Sequence, residues 1–119
     1  MLAIPKSARY RNGVKKELFL NGLPDLLILR LLSRDEMYGY EIVAKISLVS
    51  NEVLNFGEGC IYPILHRMVA EGFLLQRRAM VDGRQRRYYR LSSSGHKQLA
   101  AHNRRWAEVC DAVQAIESL

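Results

Sequence analysis

The chain has 119 residues, of which 49% are hydrophobic and 25% charged, the balance of one ordinary globular domain. No apolar run reaches the roughly 20 residues of a membrane-spanning helix. Cys60 and Cys110 are too few and too far apart for a disulfide framework or a zinc site. Composition thus argues against a disordered chain, a membrane protein and a disulfide-rich secreted domain, and a reducing cytoplasm is the expected location.

Positive charge is concentrated in two short segments. Eighteen Lys and Arg against 12 Asp and Glu give a net charge of +6. Residues 1–16 contain five basic and no acidic residues, and residues 77–90 contain six arginines and one acid, Asp82, so each segment carries +5 and the remainder −4. Concentrated positive charge favours a polyanionic partner, because each contacted phosphate releases a counterion. For residues 1–16 alone, a solvated basic surface remains an equal alternative.

Residues 1–16 are predicted to form a basic arm, in which Pro5 and Gly13 interrupt regular structure. Apolar spacing then predicts three helices over residues 24–34, 38–49 and 59–70. The segment before the second helix is predicted to be a turn. The residues that share the apolar face of the second and third helices are Ile42, Val43, Ile46, Val49, Ile61, Ile64, Leu65 and Met68.

Pro63 constrains the start of the third helix. Proline has no backbone N–H and fits best in a first turn, where that donor would have no partner within the helix. We therefore expect the helix to begin at Gly59 or later.

A β-hairpin should follow, with strands over residues 74–80 and 85–91. Asp82-Gly83 is a strong pair for the tight turn between them. Side chains alternate along a strand, so Tyr89 and Leu91 share one face, which we expect to be core. Arg87 continues that face, and the opposite face carries Arg86, Tyr88 and Arg90.

The last element is a helix over residues 93–117, capped by Ser92. At about 1.5 Å per residue it is ~37 Å long, too long for so small a body to cover. We expect part of its heptad seam to pair with a second copy, with packing on its own domain as the alternative. Within the seam, a hydrogen-bonded His102 would make dimer stability sensitive to pH near about 6 to 7. The seam residues, which are the predicted dimer interface, are Leu99, His102, Trp106, Val109, Val113 and Ile116.

Three helices followed by a hairpin predict a winged helix-turn-helix, a mainly α fold with a small β-hairpin, plus a long C-terminal dimerisation helix. Residues 1–16 form the arm, 17–91 the DNA-binding domain and 92–119 the dimerisation helix. In such a fold the third helix enters the major groove and the hairpin, or wing, contacts nearby phosphates or the minor groove. The predicted DNA contacts are Gly59, Cys60, Tyr62, Pro63, His66, Arg67, Arg84, Arg86, Arg87, Lys6, Arg9 and Arg11. For Tyr62 and His66, bracing the wing is the alternative.

Three segments resemble signatures of the PadR-like transcriptional regulators. They are MYGYEI at residues 37–42, EGCIYPILHRM at 58–68, and GRQRRYYRL at 83–91 followed by Ser92 and Gly95. The resemblance spans roughly residues 20–110. A single C-terminal helix is similar to the short branch of that family.

The resemblance implies a homodimeric repressor that binds a roughly palindromic operator. Some short members of that family bind flat, apolar or cationic compounds between the subunits, so the resemblance also implies a site for a flat aromatic effector there, with Trp106 at the position of the stacking tryptophan. Simple dimer packing is the alternative for Trp106. Tyr38 replaces the family's histidine, which we expect to concern packing only. Cys60 replaces threonine and is a weaker hydrogen-bond donor, and both a redox-sensing thiol and a small packing residue remain open there.

Two functions compete. The first is a sequence-specific, dimeric DNA-binding repressor released by a small-molecule effector. The second is a small-molecule sensor or scavenger dimer in which DNA binding is secondary. An enzyme is not expected, because the sequence lacks the zinc-binding histidine motif, the Gly-x-Ser-x-Gly nucleophile turn and the glycine-rich phosphate loop. No metal or cofactor is expected either.

Overall fold

The computed structural model describes residues 22–119, so the predicted arm contacts Lys6, Arg9 and Arg11 lie outside the described residues. Four helices and three strands make up this part of the chain, as predicted a mainly helical fold with a small antiparallel sheet and a long C-terminal helix. In chain order the elements are α1 (Gly22–Arg34), β1 (Met37–Tyr38), α2 (Gly39–Val49), α3 (Glu58–Ala70), β2 (Leu74–Val81), β3 (Arg84–Leu91) and α4 (Ser93–Glu117).

The core forms where the three short helices meet the base of the sheet. Leucine and isoleucine side chains of α1 pack against one apolar face each of α2 and α3, and the start of β2 and the end of β3 complete the core. Tyr89 and Leu91 belong to it, as the alternation along β3 predicts. The buried residues of this cluster are Ile28, Leu29, Leu32, Met37, Ile42, Ile46, Ile61, Leu65, Met68, Leu74, Tyr89 and Leu91.

Helix α3 begins one residue earlier than predicted, at Glu58. Pro63 is therefore the sixth helical residue and lies in the second turn, not the first. Its missing N–H leaves the Gly59 carbonyl without the usual helical donor. Both residues are exposed, so solvent can hydrogen-bond that carbonyl and the helix tolerates the proline.

The sheet has one strand more than the predicted hairpin. Strand β1 lies in the segment predicted to be a turn, and it pairs antiparallel with β3, giving the order β1-β3-β2. Met37 lies opposite Tyr89 and Tyr38 lies opposite Tyr88. Two residues are too short to show an alternating pattern, so only the packed fold reveals this strand.

The hairpin turn agrees with its sequence. Asp82 has φ 50° and Gly83 has φ 76°. A type I′ turn, whose twist matches that of the flanking strands, requires positive φ at both central residues. The paired strands run in register from Leu74 opposite Leu91 to Val81 opposite Arg84. The tight turn thus fixes which wing side chains share a face.

Helix α4 is attached to the domain at its start. The Ser92 hydroxyl accepts a hydrogen bond from the Gly95 backbone N–H at 3.0 Å, which is the predicted cap. Its Oγ also donates to the Gly72 carbonyl at 2.6 Å, and so does Ser94 Oγ at 2.9 Å. These contacts join the first turn of α4 to the loop before the wing.

The heptad seam of α4 divides into two parts. Leu99 packs against the core of its own domain, and Asn103 Oδ1 accepts a hydrogen bond from Arg30 Nε of α1 at 2.9 Å. Farther along, Val109, Val113 and Ile116 are 37%, 49% and 69% exposed. The first part therefore follows the alternative left open by the sequence, and the second part presents apolar side chains whose exposure increases towards the end of the helix.

Candidate nucleic-acid interface

One side of α3 is open to solvent along its whole length. The opposite side holds Ile61, Leu65 and Met68 in the core, because a spacing of four and three residues places them on one face. The predicted contact residues on the open side are Gly59, Cys60, Pro63 and His66, all of which are exposed.

A groove of about 340 Å³ joins α3 to the wing. Tyr62 and His66 line it from α3, and Arg86 and Arg87 line it from β3. Arg84 lies at the adjoining tip of the wing. The structure therefore brings together the predicted contacts of the helix and those of the hairpin, which are far apart in the sequence.

The start of α2 forms the third wall of this groove. Tyr38 and Tyr40 both line it, and Tyr40 is 56% exposed. Sequence reasoning assigned neither residue to the site. The signal was present in the closely spaced aromatics of residues 37–42, but nothing in their spacing shows that they face the wing.

Tyr62 is held against the start of α2. A Cβ added at Gly39 would lie 2.8 Å from Tyr62 Cε1, so the ring occupies the space above that glycine. Burial raises the pKa of Tyr62, and the nearby carboxylate of Glu58 raises it further. The phenol therefore stays protonated at neutral pH and can both donate and accept a hydrogen bond.

Arg77 of the wing is neutralised within the domain. Its Nε lies 3.0 Å from both carboxylate oxygens of Glu36, and its guanidinium carbon lies 4.7 Å from the ring centre of Tyr88. The hydrogen bond from Arg77 lowers the pKa of Glu36, against a smaller opposing effect of burial. Arg77 is thus a brace between β2 and the segment before β1.

Arg86 and Arg87 lie on opposite faces of β3. Arg86 stacks on Tyr38, with 4.2 Å from the guanidinium carbon to the ring centre. Arg87 shares the face of Tyr89, whose pKa is raised by burial and lowered in part by the Arg87 charge. Both arginines nevertheless line the groove, one from each face of the strand.

Arg67 differs from the other predicted contacts. Its guanidinium lies 2.6 Å from Asp25 Oδ2 of α1 and 3.2 Å from Glu71 Oε1. The hydrogen bond to Asp25 raises the pKa of Arg67. The side chain is turned towards α1 and already has carboxylate partners. Glu71 follows at i+4, but Asp25 could not be identified from spacing.

The middle of α4 carries the two remaining predicted site residues. His102 is partly buried, with its Nε2 3.4 Å from Gln98 Nε2, and burial lowers its pKa despite the opposing charge of Asp25. Trp106 is also partly buried and precedes the exposed part of the seam. These two residues therefore stand at the boundary between the packed and the uncovered halves of α4.

Residues 22–119 contain neither a metal-binding group of side chains nor a membrane-spanning helix. No group of three His, Cys, Asp or Glu side chains there could hold a metal ion. No helix in that range is long and apolar enough to cross a bilayer. Cys60 is an exposed free thiol and Cys110 a partly buried one.

A family model and a curated relative both match this chain to transcriptional regulators. The model of the transcriptional regulator PadR-like family matches residues 28–101. Transcriptional regulator Rv3488 of Mycobacterium tuberculosis is 33% identical over 88 residues, covering 74% of this chain and 79% of that protein.

Solved structures share the fold. A transcriptional regulator from Clostridium thermocellum superposes with a TM-score of 0.75 at 25% identity, over 82% of this chain and 92% of that one. Bacillus subtilis PadR, solved in complex with operator DNA, matches with a TM-score of 0.60 at 27% identity, over 64% of this chain and 44% of that one.

Proposed function

This chain belongs to the PadR-like family of transcriptional regulators, and from that premise we propose that it is a sequence-specific DNA-binding repressor that acts as a homodimer in the cytoplasm. The observation that carries the proposal is the shared groove. The open face of α3 and the arginines of the wing line one surface, although they come from separate parts of the chain.

The shape of this surface suits duplex DNA. The major groove, about 12 Å wide, admits a helix whose outer face is polar or small, as the face of α3 is. Tyr62 and His66 would then face base edges or phosphates, and Gly59, Cys60 and Pro63 would allow close approach. The Bacillus subtilis relative was solved with operator DNA, which supports the same use of the fold here.

The wing would provide the phosphate contacts. Arg84, Arg86 and Arg87 carry charges that can bind phosphate oxygens in pairs of hydrogen bonds. The arm residues Lys6, Arg9 and Arg11 remain proposed phosphate contacts as well. Arg67 has a different proposed role, since its ion pair with Asp25 holds α3 against α1 and thereby orients the recognition helix.

A second copy would complete the regulator. The exposed valines and isoleucine of α4, between Val109 and Ile116, are the proposed dimer contact. A two-fold dimer presents two copies of α3, and binding requires them to match major grooves about 34 Å apart. An effector stacked on Trp106 between the subunits would release DNA by favouring a dimer in which this spacing is lost.

A titration tests the proposal. Duplexes that the protein selects from a random pool are labelled and titrated, with shuffled versions of the same duplexes as competitors. We expect selected DNA to bind at least about 10³-fold tighter than shuffled DNA at physiological salt. Equal affinity for both would overturn the claim of sequence-specific binding.

A matched pair of variants locates the interface. Arg84→Ala removes a charge at the wing tip and should lower the slope of log affinity against log salt by about 0.9. Arg34→Ala removes an exposed charge at the end of α1, outside the groove, and should leave the slope unchanged. An equal loss in both variants would contradict the proposed orientation on DNA.

The sensor or scavenger alternative is favoured by one observation, the position of Trp106 beside the uncovered apolar seam. It is the only tryptophan in the chain, so its fluorescence reports binding at this place directly. Tight quenching by a flat aromatic compound, in a protein that enriches no duplex from the random pool, would support this alternative against the repressor.

A further inference from the structure

Two arginine–tyrosine stacks lie side by side on the outer face of the sheet. Arg86 covers the ring of Tyr38 at 4.2 Å, and Arg77 covers the ring of Tyr88 at 4.7 Å. The two tyrosines are opposite each other in the β1–β3 register, and their rings meet edge to face with centres 5.7 Å apart. The two arginine-to-ring distances lie within the range of cation–π attraction.

The two stacked arginines differ in what balances their charge. Glu36 binds Arg77, so that charge is satisfied inside the domain. Among residues 22–119, the ion pairs involve Arg67 and Arg77 but not Arg86. The guanidinium of Arg86 therefore keeps its charge available for an anion from outside.

Tyr38 is a rigid platform for that guanidinium. Its backbone pairs with Tyr88, and its backbone N–H donates to Glu41 Oε1 at 3.2 Å, which fixes the junction between β1 and α2. An arginine that is already stacked loses less rotational freedom when it binds an anion. A guanidinium that lies flat on a ring would keep the N–H donors on its edge available to an anion.

The stack stands at the groove where α3 meets the wing. Tyr38 and Arg86 line this groove together with Tyr62 and His66 of α3. A backbone phosphate of DNA bound along α3 would therefore contact a guanidinium held in place by an aromatic ring. Arg77, in contrast, is paired with Glu36.

We propose that Tyr38 is a positioning residue that holds Arg86 as a phosphate contact of the wing, and that Arg77 takes no part in DNA binding. This inference rests on the proposed function, because it assigns roles within the DNA interface. It differs from the expectation that the tyrosine at position 38 concerns packing only.

The test is a double-mutant cycle on DNA binding. A labelled random-sequence duplex of about 30 base pairs is titrated at several salt concentrations. Arg86→Ala should lower the salt slope by about 0.9, and Tyr38→Leu should weaken binding about 3- to 10-fold. Tyr38→Phe keeps the ring and should stay within about twofold of the unmodified protein. In the Arg86→Ala background, Tyr38→Leu should add no further loss.

The matched control removes the second pair without changing net charge. A protein with both Glu36→Gln and Arg77→Gln should keep the salt slope and the affinity of the unmodified protein. A slope lowered as much as by Arg86→Ala would show that Arg77 also binds phosphate and would overturn the division of roles.

A spectroscopic measurement separates positioning from folding. The Arg86 Nε–H resonance, assigned by its loss in Arg86→Ala, should be shifted by the ring current of Tyr38. Tyr38→Leu should move it and Tyr38→Phe should not. If Tyr38→Leu fails to fold, the resonance of the unmodified protein decides, and an unshifted Arg86 Nε–H overturns the proposal.

Failure of the proposed function and failure of the role of Tyr38 give different results. If the unmodified protein binds no duplex at all, the proposed function fails and this inference fails with it. If the unmodified protein binds DNA but Tyr38→Leu binds equally well, or loses as much affinity without Arg86 as with it, only the role of Tyr38 is overturned.

Discussion

Replacing Gly95 by alanine should strongly destabilise the junction between α4 and the winged domain. Gly95 is buried in the first turn of α4, against the backbone at the start of the wing. A Cβ at this position would lie 2.1 Å from the Phe73 carbonyl oxygen and 3.1 Å from its carbonyl carbon. The neighbouring atoms are backbone, so no side-chain rotation can relieve the clash.

The magnitude follows from the contacts that must open. Moving the Cβ out to an ordinary separation requires a shift of about 1 Å, and overpacking of this kind costs about 3 kcal/mol. The same shift weakens the hydrogen bonds from Ser92 and Ser94 to Gly72, at a further cost of about 1 kcal/mol. The higher helix propensity of alanine relative to glycine offsets about 1 kcal/mol of this cost. The net loss is about 3 kcal/mol.

Thermal unfolding followed by circular dichroism measures this loss. At about 4 °C per kcal/mol for a domain of this size, Tm should fall by roughly 12 °C at matched protein concentration. The control is Gly59→Ala, where an added Cβ meets no atom within 4 Å. That variant should keep or slightly raise Tm. A Gly95→Ala protein that melts within about 2 °C of the control would refute the reasoning.

Three further changes probe the interface, the dimer and the pH response. Gly39→Ala should displace the Tyr62 ring, which lies 2.8 Å from the added Cβ, and weaken DNA binding about tenfold in an anisotropy titration; an unchanged Kd would remove Tyr62 from the interface. Val113→Asp places a charge on the uncovered seam and should give a monomer in sedimentation, whereas a persisting dimer would exclude this part of α4 as its contact. Burial lowers the pKa of His102 in the folded protein, so as pH falls through about 6.5 the unfolded chain binds the proton first and stability decreases. His102→Gln should flatten this decrease in denaturant midpoints measured from about pH 8 to about pH 5.5, and a profile parallel to the unmodified protein would contradict it.

Much of the fold could be predicted because its signals are local. The apolar faces of α2 and α3 repeat with the helical period, and the hairpin follows from a turn whose two residues tolerate positive φ. Helix α4 begins as predicted because its cap, Ser92, is adjacent in sequence. Strand β1 was missed, because two residues carry no period and pair only once β3 is in place.

The sequence predicted the parts of the candidate site but not the partners of its side chains within the domain. The open face of α3 and the basic hairpin were both identified, and the structure brings them to one groove. Arg67, Arg77 and Arg86 look alike in the sequence, yet one binds Asp25, one binds Glu36 and one stacks on Tyr38. Spacing along the chain cannot separate these roles, because each partner comes from a different element.

The sequence by itself determined the order of the four helices and the hairpin, the place of the hairpin turn, and the concentration of positive charge in the hairpin. Only the tertiary structure decided which arginines keep a free charge and which half of the α4 seam is covered. The physical reason is distance along the chain. Helical and strand periods and turn conformations depend on residues a few positions apart, whereas the partner of a long charged side chain depends on how segments some 40 or more residues apart pack together.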